Sequence, residues 1–262
     1  MGLDPLFSLH QRVAVVTGGA SGLGFAMAEA MASYGARVVL LDSNAQALAT
    51  ARTKLGAAGL EVETKAVDVT ASDELRRAFD GIVELHRRLD IVAANAGITG
   101  GPGPLSRGGA LEAAPRALWD RVLAVNLTGA FETLQCAARH MKPRKSGRII
   151  VTCSMGGLHA EPLVGYAYAA SKAALAQLVR QAAVELAPHG ILINAIAPGP
   201  FATAIADGAF ADPRVQEVLA KRSLLGRVGR PEEIRGLAVL LASEASSFIT
   251  GAVIPLDGGS VA

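Results

Sequence analysis

Short, almost wholly apolar runs alternate with stretches of helical character from the start of the chain, and that alternation leaves few folds open. Residues 12–17 (RVAVVT), 37–41 (RVVLL), 62–67 and 90–94 each read as a strand. A strand that is apolar at nearly every position has both faces buried, as in parallel sheets covered by helices on either side. The stretches between them supply the crossovers that parallel pairing requires. Residues 44–58 form an Ala-rich helix stopped by glycine. Residues 72–88 form an amphipathic helix, with Thr70-x-x-Asp73 as its expected capping box. The alternation then continues: a helix over 115–141, a strand at 148–152, a helix over 166–187, a strand at 191–197, a helix over 231–243 with Pro231 in its first turn, and a last strand at 252–255. Two interruptions stand out. Residues 98–110 (ITGGPGPLSRGGA) form a Gly- and Pro-rich loop, and 198–224 carries the Gly, Pro and short helical patches of a lid. With seven strands and no internal repeat, the expectation is α/β: one doubly wound domain over residues 1–262, with about seven parallel strands and helices on both faces.

Composition narrows the function classes. Aromatic residues are only 4% against 51% hydrophobic, so the core is built from Ala, Val, Leu and Ile. The net charge is +2 with basic residues scattered, which gives no footprint for nucleic acid or a membrane surface. Cys136 and Cys153 are the only cysteines and sit in unrelated segments, so neither a disulfide framework nor a metal is expected. No run is apolar for long enough to span a bilayer, and MGLDPLFSLHQR lacks the charged and apolar regions of a signal peptide. A soluble cytoplasmic protein is expected.

Three constellations carry chemistry. The first is Thr17-Gly18-Gly19-Ala20-Ser21-Gly22-Leu23-Gly24, a glycine turn that follows a strand and opens a helix. Glycines let the backbone approach a pyrophosphate, and the helix N-terminus offers free N–H groups and a positive dipole end. Gly18, Ser21, Gly22, Leu23 and Gly24 are therefore candidate dinucleotide contacts, although the same residues also make an ordinary tight turn. The second is Asp42, which ends the second strand where an acid accepts both adenosine ribose hydroxyls and repels a 2′-phosphate. Neither Ser21 nor Ser43 is basic, which points to NAD over NADP; the alternative is that Asp42 caps a helix. Asp68 and Val69, at the third strand's end, are placed to flank the adenine, and Asp68 also suits an N-cap. The third is Ser154–Lys172. Tyr168 and Lys172, at i and i+4, share one face of a helix. A phenol near pKa ~10 is a poor proton exchanger at neutral pH, and a neighbouring cation lowers it. YxxxK alone also arises in helices that do no chemistry.

Together these pieces resemble the short-chain dehydrogenase/reductase family over nearly the whole chain. The matching motifs are TGGASGLG at 17–24, Asp42, Asp68-Val69, Ala94-Asn95-Ala96-Gly97, Asn126 in VNLTG, Ser154, Tyr168-x-x-x-Lys172, Pro198-Gly199 with Thr203, Gly226–Gly229 before the PEE helix, and the terminal LDGG. The resemblance implies a Rossmann-type fold and hydride transfer between NAD and a secondary alcohol or ketone. It implies that Tyr168 exchanges the substrate hydroxyl proton and that Lys172 lowers the Tyr168 pKa and binds the nicotinamide ribose. Ser154 would hold the substrate oxygen, and Asn126 a water linking Lys172 to solvent. Asn95, Ala96 and Gly97 would stabilise the sheet edge and touch the cofactor ribose, and Pro198, Gly199, Phe201 and Thr203 would line the nicotinamide. It further implies a homotetramer in which the helices near 115–141 and 166–187 pack across a dimer interface. The N-terminal wording LFSLHQRVAVVTGG is similar to that of enzymes acting on gluconate-type sugar acids.

Two departures bear on specificity. The gap from Ser154 to Tyr168 is one residue longer than the family's usual gap, which reshapes the loop 155–166. The insertion 98–110, made flexible by Gly108-Gly109, is placed to bound the pocket. Tyr166 has no lysine four residues on and is expected to pack or to contact substrate. His159 reads as a loop histidine, with substrate contact as the alternative, and Cys153 as a buried structural thiol. Two other functions remain open: a ketoreductase for carrier-linked 3-oxoacyl groups, which Asp42 disfavours, and a non-catalytic NAD-binding protein on the same fold, which the full Asn126, Ser154, Tyr168, Lys172 set disfavours.

Overall fold

The computed structural model describes residues 4–203 and 213–262. Seven strands, β1 (Val13–Thr17), β2 (Arg37–Asp42), β3 (Val62–Ala66), β4 (Ile91–Ala94), β5 (Gly147–Thr152), β6 (Ile191–Pro198) and β7 (Val253–Leu256), form one sheet in the order β3-β2-β1-β4-β5-β6-β7. Every pairing is parallel. The doubly wound α/β expectation holds, and the strands fall within a residue or two of the runs that predicted them.

Two apolar layers cover the sheet. On one face, α1 (Gly22–Ser33), α2 (Ala45–Ala57) and α8 (Arg235–Ala242) bury Met27, Met31, Leu48 and Leu55 against Val16, Leu40 and Ile91. On the other, α3 (Ser72–His86), α5 (Ala130–Met141) and α6 (Tyr166–Leu186) bury Phe79, Leu134, Met141 and Val179 against Val15, Val92 and Ile149. Inward-pointing residues alternate along each strand, so both faces of β1, β4, β5 and β6 are dry. At about 25 cal/mol per Å² of buried apolar surface, these layers are the main favourable term for the fold.

The chain reverses its direction of winding between β1 and β4. The crevice outside the carboxyl ends of these strands is where an open α/β sheet binds ligands. The glycine turn leaves β1 there and Asn95-Ala96-Gly97 leaves β4 there.

The helix expected over 115–141 is α4 (Arg116–Leu123) and α5 joined by a π turn over Ala124–Gly129. Asn126 lies inside that turn; a polar residue in an apolar helix needs a buried partner or a bend, and it has both, the bend as a π-bulge. The expected capping box is absent. The N-cap of α3 is Ala71, and the Thr70 hydroxyl instead donates to the Asp68 carboxylate at 2.8 Å. Asp68 also accepts from the Thr70 N–H, so it closes a local turn ahead of the helix rather than capping it. Of the region read as a lid, residues 198–203 and 213–224 are described, among them α7 (Pro213–Ala220); Ile205 and Phe210, expected with Phe201 to give it a moderately apolar roof, lie outside the described residues.

Candidate active site

A cavity of about 930 Å³ opens at the β1/β4 crevice and runs across the carboxyl ends of the strands. That volume is at the upper end of the range for ligand sites. Gly18, Ser21, Gly22, Leu23, Asp42, Asp68, Val69, Asn95, Ala96, Gly97, Ser154, Tyr168, Lys172, Pro198, Gly199, Phe201 and Thr203 all line it. Two expected residues do not. Gly24 is buried beneath the turn, and Asn126 is fully buried behind the wall.

The nucleotide end is built from backbone. Gly18 (φ +63°) and Gly22 (φ +54°) adopt left-handed conformations that favour glycine. A Cβ on Gly24 would stand 2.1 Å from the Gly18 carbonyl oxygen, so its role is to let α1 pack against the turn. The N-cap residue of α1, Ser21, makes no side-chain capping bond, which leaves the helix's first N–H groups directed at the cavity. Asp42 is half-buried. It accepts from the Ala20 N–H (3.2 Å) and the Asn44 N–H (3.0 Å), so its carboxylate is fixed beside the turn with acceptor capacity to spare. Among the described residues it has no ion-pair partner. A glycine turn approachable by a ligand, an uncapped helix start and an oriented acid together fit the pyrophosphate and ribose of a dinucleotide.

Asn95 ties the strand ends together through Thr17 and Thr152, whose part in this network sequence reasoning missed. The Thr17 hydroxyl accepts from the Asn95 and Ala96 N–H groups at 3.0 and 3.2 Å. The Asn95 carboxamide donates to the Thr17 and Gly18 carbonyls and accepts from the Thr152 hydroxyl at 3.0 Å. One side chain thus joins β1, β4 and β5. Polar residues ending three otherwise apolar strands were the available signal. Arg121, on α4, also lines the cavity and was not foreseen.

The chemical end lies on β5 and α6. Ser154 follows β5 and is 8% exposed; its hydroxyl accepts from the Gly156 N–H at 3.2 Å and is hydrogen-bonded to the Tyr168 phenol. Lys172 is 3% exposed, donates to the Thr152 carbonyl at 2.7 Å, and has its Nζ 5.6 Å from the Tyr168 ring centre. Burial pushes the Lys172 ammonium down to about 8. The Tyr168 phenol is raised, chiefly by burial, with the Ser154 hydrogen bond opposing. In the chain alone the phenol is thus raised and not lowered: desolvation outweighs the Ser154 hydrogen bond, and the Cys153 thiol adds a smaller push upward. Asn126 is held at both ends. Its Oδ1 accepts from the Ile98 N–H at 2.8 Å, and its Nδ2 donates to the Ile98 carbonyl (2.9 Å) and the Ser171 hydroxyl (3.3 Å). Gly97 adjoins both Asn126 and Lys172: a Cβ there would lie 3.4 Å from Asn126 Oδ1 and 3.6 Å from Lys172 Nζ.

The two unusual loops form one wall. Pro102 pairs with Val164 in an antiparallel bridge, and a Cβ on Gly165 would stand 2.0 Å from the Gly100 carbonyl oxygen. Thr99, Gly100, Gly101 and Pro102 line the cavity, as does Leu163. Gly109 packs so closely on the Gly103 carbonyl that a Cβ would sit 1.9 Å away, so this glycine serves close packing. Neither Tyr166 nor His159 lines the cavity; the His159 ring bonds the neighbouring Ala160 carbonyl at 3.0 Å. Cys153 is 1% exposed, and burial raises its thiol to about 11, in keeping with a structural role.

A family model described as enoyl-(acyl carrier protein) reductase matches residues 18–260. Gluconate 5-dehydrogenase of Gluconobacter oxydans is 39% identical over 257 residues, spanning 97% of this chain and 96% of that protein. Among solved structures, the Pseudomonas aeruginosa RhlG/NADP active-site complex superimposes with TM-score 0.90 at 37% identity, covering 98% of this chain and 99% of that one. An NAD+-bound xylitol dehydrogenase does so with TM-score 0.87 at 32% identity, covering 96% and 99%. Two-thirds or more of both partners is matched in each comparison, and the motifs that suggested the resemblance converge on one cavity, so the chain belongs to the short-chain dehydrogenase/reductase family.

Proposed function

We propose that this protein is an NAD-dependent oxidoreductase that interconverts a secondary alcohol and a ketone. The observation that carries this reading is the convergence of Ser154, Tyr168 and Lys172 at one end of a cavity whose other end holds Asp42 beside an open helix start. NAD, when bound, accepts or supplies the hydride. The Ser154 hydroxyl hydrogen-bonds the substrate oxygen and fixes its position. Tyr168 takes the hydroxyl proton during oxidation and returns it during reduction. The buried Lys172 ammonium favours the phenolate, and Asn126 fixes Gly97 and Ile98 beside it. Gly18, Ser21, Gly22 and Leu23 serve the pyrophosphate and Asp42 the adenosine ribose. Asp68 and Val69 flank the adenine. Asn95, Ala96, Gly97, Pro198, Gly199, Phe201 and Thr203 complete the cofactor's surroundings.

Asp42 supports NAD over NADP, because a fixed carboxylate with no basic partner among the described residues opposes a 2′-phosphate. The assembly we propose is a homotetramer. Phe131 on α5 and Val184 on α6 stay exposed, at 43% and 74%, on the two helices expected to meet across an interface; light scattering that finds a monomer refutes it. Free Cys136 and Cys153 suit the cytoplasm. The test of function is an NAD+-coupled absorbance screen of secondary alcohols and of the matching ketones with NADH. Turnover of at least one class is expected, and tight NADH binding with no turnover across the panel would favour a non-catalytic binder. The carrier-linked ketoreductase reading, to which the family model's description lends weight, predicts instead at least a tenfold preference for NADPH.

A further inference from the structure

Among the described residues, five charged side chains line the cavity: Asp42, Asp68, Arg121, Glu161 and Lys172. Glu161 has no part in the chemistry above, yet its side chain is only 6% exposed. Burying a carboxylate is costly unless it is paired and hydrogen-bonded. Glu161 is both: Oε1 accepts from the Leu163 N–H at 3.0 Å and from the Arg222 guanidinium, just beyond α7. Among the described residues Oε2 has no hydrogen-bond partner. The Glu161 stem also lies close to the reacting end. A Cβ built on Gly156 would sit 3.4 Å from Glu161 Cβ, and the Gly156 N–H is the one bonded to the Ser154 hydroxyl.

We infer that Glu161 is a specificity-determining hydrogen-bond acceptor for a second hydroxyl of the substrate, so that the cavity selects polyhydroxylated alcohols over simple ones. This deepens the dehydrogenase reading and rests on it. Arg222 and the Leu163 N–H hold the carboxylate in place, and Arg222 neutralises it, so an uncharged O–H reaching Oε2 meets an oriented acceptor. An ionised acceptor contributes more than a neutral one, and a substrate without the second hydroxyl leaves that hydrogen bond unmade. Arg222, absent from the cavity lining, acts as a positioning residue.

The test is the ratio of kcat/KM for butane-2,3-diol to that for butan-2-ol, and for cyclohexane-1,2-diol to that for cyclohexanol, in the full-length protein with NAD+. The wild type is expected to favour each diol by about 10- to 100-fold. Glu161→Leu should bring both ratios to within about threefold of one. Glu161→Gln, which retains an acceptor oxygen and guards against a folding defect in the leucine variant, should fall between. Arg222→Leu keeps the acceptor but removes one of its two anchors, so it should lower both ratios, by less than Glu161→Leu does. If Glu161→Leu slows diol and mono-ol equally, matching Arg222→Leu, the pair is only a tie between the loop and the segment after α7, and the inference is wrong. A wild type that turns over both alcohol classes without preference overturns it too, leaving the dehydrogenase reading intact. Turnover of neither class refutes the reading beneath it.

Discussion

Replacing Asp42 with Ala separates the cofactor assignment from the rest of the account. The carboxylate is anchored by the Ala20 and Asn44 N–H groups, at 3.2 and 3.0 Å, and no described cation neutralises it. A 2′-phosphate placed about 4 Å away would feel roughly 2–4 kcal/mol of repulsion per unit charge at an effective dielectric of ~20–40. Solvent at a half-buried site reduces this, so about 3 kcal/mol of discrimination is a fair expectation, or on the order of a hundredfold. The ribose hydroxyls would also lose hydrogen bonds to a charged acceptor, worth about 1.5–3 kcal/mol. Wild-type protein should therefore show kcat/KM for NAD+ about 100-fold above that for NADP+. In Asp42→Ala the NAD+ value should fall about 10- to 100-fold while the NADP+ value holds or rises, bringing the ratio near one. Initial rates with each cofactor at fixed substrate and ionic strength measure it. A wild-type preference for NADP+, or a ratio that moves less than threefold in the variant, would refute the electrostatic argument.

Other outcomes follow from the buried polar groups. Asn126→Leu strips the Ile98 N–H and carbonyl of their partner and should cost about 2–4 kcal/mol, lowering Tm by on the order of 10 °C by scanning calorimetry; an unchanged Tm contradicts a structural share for this residue. Lys172 titrates at about 8 in the folded chain against 10.5 when unperturbed, so between those values the unfolded state binds more protons. Stability must then rise with pH across about 8–10.5, and the burial penalty, about 3 kcal/mol, is fully present below pH 8. Urea denaturation should show that rise in wild type and not in Lys172→Met. Because burial raises the Tyr168 phenol, alcohol oxidation should accelerate toward alkaline pH while ketone reduction stays level or falls; a flat oxidation profile from pH 7 to 10 speaks against Tyr168 as the proton acceptor.

The fold was legible because its signals are local and redundant. Apolar runs that fill both faces of β1, β2, β4, β5 and β6 mark the interior of a covered sheet, while the part-buried edge strands β3 and β7 were carried by the alternation with helices. Asn126 could be read as a bend because an amide inside VLAVNLTGAF needs partners. What it bonds was not legible, since Ile98 and Ser171 are brought to it by tertiary packing. Thr17 and Thr152 escaped notice for the same reason: a threonine at a strand end reads as ordinary until neighbouring strands show which amides it serves. The sign of the Tyr168 shift depended on two opposing effects, and the i, i+4 spacing reveals only the neighbouring charge. The Thr70 box failed because the Asp68 carboxylate competed for the hydroxyl. The pairing of loops 98–110 and 155–166 through Pro102 and Val164 has no sequence signature, although both loops were marked as places where specificity would lie.

The central claim is that Tyr168 moves the substrate proton at a site that holds the cofactor independently. Tyr168→Phe removes one oxygen from a residue whose ring remains packed over Lys172. The most direct measurement pairs NADH affinity, from fluorescence titration, with kcat for the best substrate of the screen. A Kd within about threefold of wild type is expected, with kcat reduced by at least ~100-fold, within the range for loss of a positioned acid or base. A variant that binds NADH normally and turns over at the wild-type rate contradicts it.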